Sequence, residues 1–321
     1  MKKFNLIVVF VFLIGAFALS ACGAAPTATA TEAATAAATT EAATEATTAA
    51  AATSAATPVA QIPAENLVQK GHLLMCSDVP YPPQEFFDDS GNPTGLDVEI
   101  GQEIANRLGL QFQVVNSVFD SIIAAVSSGK CDIIISAMNI TTDRQKQVTM
   151  IPYFQAGQSF VSVKGNPNNI TTALDLCGKS VAVESGTTEA SYLQGTDAYA
   201  GKGLKQQCTE KGKGELTVVI TQKDTDALQQ LQSSKVAAYS TDSPVAAYYV
   251  TEHPDLFQVV GEVIEPIKEG IAIPCYAADC TSAPLTAVGQ AVQTALNSMV
   301  TDGTYTKILT KWNLANGAIS Q

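Results

Sequence analysis

The chain has 321 residues, 46% of them hydrophobic, with 30 acidic against 18 basic side chains and a net charge of −12 at neutral pH. That balance argues against nucleic acid, which needs a dense cationic face, and against electrostatic attachment to anionic lipid. A small anionic or zwitterionic ligand stays open, because one cationic side chain can sit in a cleft of a negative protein.

At the N-terminus Lys2 and Lys3 precede an apolar run from Leu6 to Leu19. The run is short for a membrane span and fits a secretory signal. The next residues, Leu19-Ser20-Ala21-Cys22-Gly23, resemble the lipobox of bacterial lipoproteins. That resemblance implies a signal peptide over 1–21, cleavage before Cys22 and acylation of its thiol. The protein is then expected in the cell envelope, in the periplasm or on the outer face of the cytoplasmic membrane, held by lipid. From Gly23 to about Ala60 the chain is almost entirely Ala and Thr, with Glu32, Glu41 and Glu45 and no large apolar residue before Val59. Such a stretch has nothing to bury and cannot recover its ordering entropy. Residues 22–61 are expected to be a disordered tether, reaching about 35 Å root-mean-square as a flexible coil.

Beyond residue 61 strands and helices alternate. Leu73 to Ser77 reads as a strand that runs into the Pro-rich stretch Asp78-Val79-Pro80-Tyr81-Pro82-Pro83. Leu96, Ile100, Ile104 and Leu108 recur at near-helical spacing, with Gly109 as the stop. Gln111 to Val115 is a strand, Phe119 to Ser128 a helix and Cys131 to Ser136 a strand. The pattern then restarts. Phe160 to Val163, Ser180 to Val183, Leu216 to Ile220 and Val236 to Ser240 are strands, interleaved with helices at Thr188 to Gln194 and Asp226 to Gln232. Leu285 to Val300 and Thr304 to Trp312 close the chain as helices, with Trp312 as a packing anchor. Alternation of this kind predicts an α/β fold with mostly parallel strands covered on both faces, in two lobes.

Of seven cysteines, six remain once Cys22 is assigned to lipid. In an oxidising compartment Cys76, Cys131, Cys177, Cys208, Cys275 and Cys280 suggest three disulfides, although six cysteines allow fifteen connectivities. Our hypothesis pairs Cys76 with Cys131, Cys177 with Cys208, and Cys275 with Cys280, each stapling a local region. No CxxC pair occurs, and His72 and His253 are far apart, so neither a metal site nor a cofactor is expected.

In such sheets ligands bind beyond the C-terminal ends of strands, and the polar clusters lie there. Ser77-Asp78 ends one strand, the segment Ser136-Ala137-Met138-Asn139-Ile140-Thr141-Thr142-Asp143-Arg144 another, Glu184-Ser185-Gly186-Thr187-Thr188 a third and Ser240-Thr241-Asp242 a fourth. Arginine's planar fork matches a carboxylate and stays charged in a dry cleft. Gly186, Thr187 and Thr188 before a helix offer free N–H groups for an anion. Asp242 supplies the opposite charge, so the set suits a zwitterion.

At this point the chain resembles the solute-binding proteins of family 3, the amino-acid receptors of ABC importers. The resemblance is carried by Ser77 to Phe86, Gly95 to Ile100, Ile140 to Arg144, Val181 to Thr188 and Asp302 to Tyr305. It implies a periplasmic-binding-protein type II fold: two lobes joined by a hinge of two crossing strands near Gln155 to Ser159 and Glu265 to Gly270. Lobe 1 would comprise 62–157 plus 268–321, and lobe 2 would comprise 158–267. It implies a monomer that is not an enzyme, binds a free amino acid and delivers it to permease and ATPase subunits. By position Arg144, with the N–H groups around Asn139 and Thr188, would bind the α-carboxylate; Asp242 would bind the α-ammonium; and Tyr81 would cover the aliphatic part. Gln84, Phe119, Ser136, Ala137, Gly186 and Thr187 complete the expected ligand-binding set, with Gln84 standing where the family usually has an aromatic residue. Asp78 and Glu184 fall where the family faces the ligand side chain, which favours arginine, lysine or ornithine. If Asp78 caps its own loop and Glu184 faces solvent, a neutral ligand such as glutamine fits instead. A sensory lipoprotein without a transport role and a cyclohexadienyl-dehydratase-like enzyme are the alternatives.

Overall fold

The computed structural model describes residues 58–319; the expected signal peptide, Cys22 and the tether up to residue 57 lie outside them. The strands in chain order are β1 (His72–Ser77), β2 (Phe86–Phe87), β3 (Pro93–Thr94), β4 (Gln111–Asn116), β5 (Ile133–Ile134), β6 (Val148–Val163), β7 (Ser180–Glu184), β8 (Thr217–Thr221), β9 (Ala238–Asp242) and β10 (Phe257–Pro274). The helices are α1 (Leu96–Leu108), α2 (Ile122–Ser127), α3 (Thr142–Gln145), α4 (Thr188–Gln194), α5 (Leu204–Glu210), α6 (Asp224–Gln232), α7 (Ser243–Glu252), α8 (Ala287–Thr301) and α9 (Thr304–Lys311).

One eight-stranded sheet runs in the order β4-β1-β5-β10-β6-β9-β7-β8. Strands β4, β1 and β5 are mutually parallel at one end, and β9, β7 and β8 are parallel at the other. Between them the long strands β10 and β6 pair antiparallel to each other and to their neighbours. The sheet is therefore two parallel sets separated by an antiparallel pair, where the sequence pattern gives mostly parallel strands. The crossing pair extends well past the expected residues 155–159 and 265–270, spanning all of β6 and β10. Register shifts interrupt it between Val260 and Ile264, between Ile264 and Ile267, and between Glu269 and Gly270.

Both faces of each parallel set are covered, as continuous apolar strands require. On β1, Leu73 and Met75 pack with α1, α8 and α9 through Ile100, Ile104, Val292, Leu296 and Ile308. The alternate residues Leu74 and Cys76 pack on α2 through Ile122 and Val126. At the other end Val181 and Val183 of β7 meet Leu193, Leu204 and Leu216, while Ala182 faces Ala227, Leu231, Tyr239 and Tyr249. Gly109 closes α1 in the left-handed conformation, as its position predicts. Trp312 packs edge-on against Phe86, ring centroids 5.7 Å apart.

All three hypothesised disulfides are present: Cys76–Cys131, Cys177–Cys208 and Cys275–Cys280. Two elements differ in length from the sequence pattern. The strand expected over 131–136 shrinks to Ile133–Ile134, because the chain turns at Ala137 with φ 43° and aims the following residues into a cavity. The helix expected over 119–128 opens as a 3₁₀ turn, Phe119–Ser121, before α2.

Candidate functional site

The C-terminal ends of the parallel strands converge on one cavity of about 300 Å³, lined by Asp78, Tyr81, Phe119, Ser136, Ala137, Asn139, Arg144, Glu184, Thr187, Thr188, Glu189 and Asp242. The first four and the next three come from one end of the sheet, while the residues from Glu184 to Asp242 come from the other. Two expected members stand elsewhere. Gln84 is fully buried away from the cavity, where its Nε2 donates to Glu269 Oε2 at 2.6 Å. Gly186 lines an adjoining cavity, and its carbonyl accepts from Arg144 Nη2 at 3.0 Å.

The walls are joined directly. Arg144 Nη1 donates to the Asn139 carbonyl at 2.8 Å, so its guanidinium bridges the loop after β5 and the loop after β7. It also lies over the Phe119 ring, 5.2 Å from the centroid, a cation–π placement. Asn139 Nδ2 donates to Thr188 Oγ1 at 2.7 Å. Across the cavity the Tyr81 hydroxyl donates to Asp242 Oδ2 at 2.9 Å and accepts from the Asp242 backbone N–H at 3.2 Å. Thr187 caps α4, its hydroxyl accepting from the Ala190 N–H at 3.1 Å and donating to the Glu184 carbonyl at 2.9 Å.

Carboxyl groups dominate the electrostatics. Asp78, Glu184, Glu189 and Asp242 are each at most 5% exposed. Burial pushes the Glu184 carboxyl up to about 10, assisted by the neighbouring Asp224 and Asp78 carboxyls and opposed by Lys223. Burial likewise raises Asp242, with the Glu189 and Glu269 charges adding to it. Glu189 is raised by burial against the pull of Arg144, among others. Burial lowers the Arg144 pKa, with Glu189 and Asp242 resisting; an arginine there stays charged at neutral pH. Among the described residues, Asn139 Oδ1, Glu184 Oε1, Glu189 Oε1 and Asp242 Oδ1 are buried and receive no N–H or hydroxyl donor; the carboxyls are instead hydrogen-bonded to one another, Glu184 with Asp78 and Glu189 with Asp242.

Three neighbours escaped the sequence reading. Glu189 sits in the first turn of α4, where an acid is ordinary helix-dipole chemistry and so drew no notice. Lys223 and Asp224 follow β8 at its C-terminal end, the position that identified the other polar clusters. Lys223 Nζ pairs with Asp78 Oδ1, and Asp224 accepts from the Thr241 hydroxyl at 3.1 Å. Asp78 thus neither caps its loop alone nor waits unpaired, while Glu184 faces the cavity and not solvent. Beneath the cavity lies a further buried acidic group. Glu85 accepts from Ser136 Oγ at 2.6 Å, and Asp97 accepts from the Ala137 N–H and from the Tyr153 hydroxyl, each at 2.8 Å. No three His, Cys, Asp or Glu side chains among the described residues are grouped to hold a metal ion.

The chain has relatives both in sequence and in structure. An arginine-binding protein of Corynebacterium glutamicum is 27% identical over 267 residues, covering 82% of each chain. An L-cystine-binding protein of Escherichia coli is 28% identical over 249 residues, covering 76% of this chain and 83% of its own. An ancestral arginine-binding protein, solved bound to arginine, superposes with a TM-score of 0.64 at 33% identity over 76% of this chain and 98% of its own. A structure of an ancestral arginine-binding protein bound to glutamine superposes with a TM-score of 0.65 at 33% identity, covering 77% of this chain and 99% of its own. Residues 73–315 match the profile of one family throughout, and the chain belongs to the bacterial extracellular solute-binding proteins, family 3.

Proposed function

We propose that the protein is the amino-acid receptor of an ABC importer and that its ligand is a cationic L-amino acid, of the arginine, lysine and ornithine class. The observation that carries the charge preference is the imbalance at the cavity. Four buried carboxyl groups, hydrogen-bonded to one another as Asp78–Glu184 and Glu189–Asp242, and four buried oxygens that receive no N–H or hydroxyl donor face one cation, Arg144, among the described lining residues. A ligand rich in N–H groups supplies what those oxygens lack, since an unpartnered buried acceptor costs about 1–3 kcal/mol.

In this reading the α-carboxylate meets Arg144 and the N–H groups near Asn139 and Thr188. The α-ammonium meets Asp242, with Glu189 beside it. Tyr81 covers the aliphatic stem, and the side-chain charge reaches Glu184. A guanidinium or ammonium arriving at Glu184 takes the place of the proton that burial holds there. The lobes are 62–157 with 268–321, and 158–267. Closure is a population shift, because ligand contacts both lobes at once and stabilises the closed form by that difference. The mature chain is a monomer held to the membrane by lipid on Cys22, and it hands its ligand to permease and ATPase partners.

A neutral polar ligand is the second reading. Lys223 on Asp78 favours it by removing one of the two carboxylates that would read a cation. Uptake separates transport from sensing: cells lacking the protein should lose high-affinity uptake of labelled arginine, lysine or ornithine. Uptake that survives intact would contradict a transport role.

A further inference from the structure

Asp78 and Glu184 lie together at the cavity wall, hydrogen-bonded to each other, but their other partners differ. Asp78 is fully satisfied: Oδ2 accepts from the Phe119 N–H, and Oδ1 pairs with the Lys223 ammonium. Lys223 Nζ is also 3.5 Å from the Val79 carbonyl. The ion pair is largely sheltered, the two side chains being 25% and 5% exposed, so solvent screens it little. Glu184, in contrast, has one buried oxygen with no donor. Lys223 itself is not among the cavity-lining residues. It reaches Asp78 from the start of α6, behind the wall.

We propose that Lys223 determines which ligand charge the pocket accepts, by occupying Asp78 so that Glu184 alone meets the ligand's side chain. The inference rests on the amino-acid-receptor reading and deepens it. With Lys223 in place the far end of the pocket offers one carboxyl for one positive charge, and glutamine and arginine compete on closer terms. Without the ammonium, Asp78 keeps the Phe119 N–H and the Glu184 carboxyl but has no cation to balance its charge in a sheltered site. Leaving such a charge unpaired is costly, and a ligand cation is then the group that relieves it. The opposite change, neutralising Asp78, strands the lysine's positive charge next to the ligand and repels a cation.

The test compares the ratio of glutamine to arginine dissociation constants, measured by calorimetry in the full protein, in Lys223→Gln and in Asp78→Asn. Lys223→Gln should raise the ratio, and with it the arginine preference, about tenfold, equivalent to about 1.4 kcal/mol. Asp78→Asn should lower it by a similar factor. Because the two substitutions move the ratio in opposite directions, a general loosening of the cleft cannot imitate the result. A ratio that stays level or falls in Lys223→Gln overturns the proposal, as does a rise in Asp78→Asn should the lysine variant fail to fold. If the unaltered protein binds none of arginine, lysine, ornithine and glutamine, the receptor reading falls and this inference falls with it. If it binds them and the ratio does not move, only the inference falls.

Discussion

Arg144 carries two tasks at the level of a single side chain. Its guanidinium holds the loops after β5 and β7 together through the Asn139 and Gly186 carbonyls, and it is the one cation lining the cavity among the described residues. Arg144→Ala should therefore weaken amino-acid binding by about 2 to 5 kcal/mol, since a ligand carboxylate would be left without its charged partner. Micromolar affinity corresponds to about 8 kcal/mol, so calorimetry should detect little or no binding; unaltered affinity would contradict the assigned role. Arg144 was legible in the sequence because it combines a strand end, small polar residues and a helix start. Glu189 and Lys223 were not. An acid in the first turn of a helix and a lysine before one are both common solvated features, and only the fold turns them towards Thr188 and Asp78.

Elements show the same division. Each parallel strand was readable from its apolar run, and the rule that ligands gather at strand ends located most of the cavity wall. The full extent of β6 and β10 was not readable, because their antiparallel pairing joins segments about a hundred residues apart and no local pattern records the partner. Helix α7 was also missed, although Pro244 stands in its first turn, where proline is at home. The start of α1 makes a testable demand. Gly95 has φ 123°, and a Cβ there would lie 2.2 Å from the Gln84 carbonyl oxygen, in the stretch that presents Tyr81. The contact is with backbone, which has little freedom to give way. Gly95→Ala should cost at least about 2 kcal/mol of stability, read from the urea unfolding midpoint. A midpoint equal to that of the unaltered protein would show that the loop and α1 relax independently.

For the molecule as a whole, the concentration of buried acids makes stability depend on pH. Burial raises Asp97 to about 6 and Asp224 to about 7, and raises Glu85 and Glu269 as well, with the Asp97 charge adding to both. A carboxyl whose pKa is higher in the folded state binds more protons there than in the unfolded chain. The stability it contributes is complete below the ordinary carboxyl range, 3.8 for Asp, and is lost as pH rises through the folded value. The window for Asp97 and Asp224 runs from about pH 4 to pH 7. The thermal midpoint of the unliganded protein should accordingly fall between pH 4 and pH 8, by about 5 °C or more. Exposed carboxyls held low, such as Asp302 at about 2 beside Thr304 and Arg107, act below that window. A midpoint that rises steadily from pH 4 to pH 8 would mean that these groups are ionised in the fold.

The charge of the ligand decides between the two readings of the cavity. Calorimetric titration of the purified protein at neutral pH, after unfolding and refolding to strip carried ligand, should show arginine binding at micromolar concentration or tighter and more strongly than glutamine. Glutamine binding tighter than arginine, or no amino acid binding at all, would contradict the cationic reading.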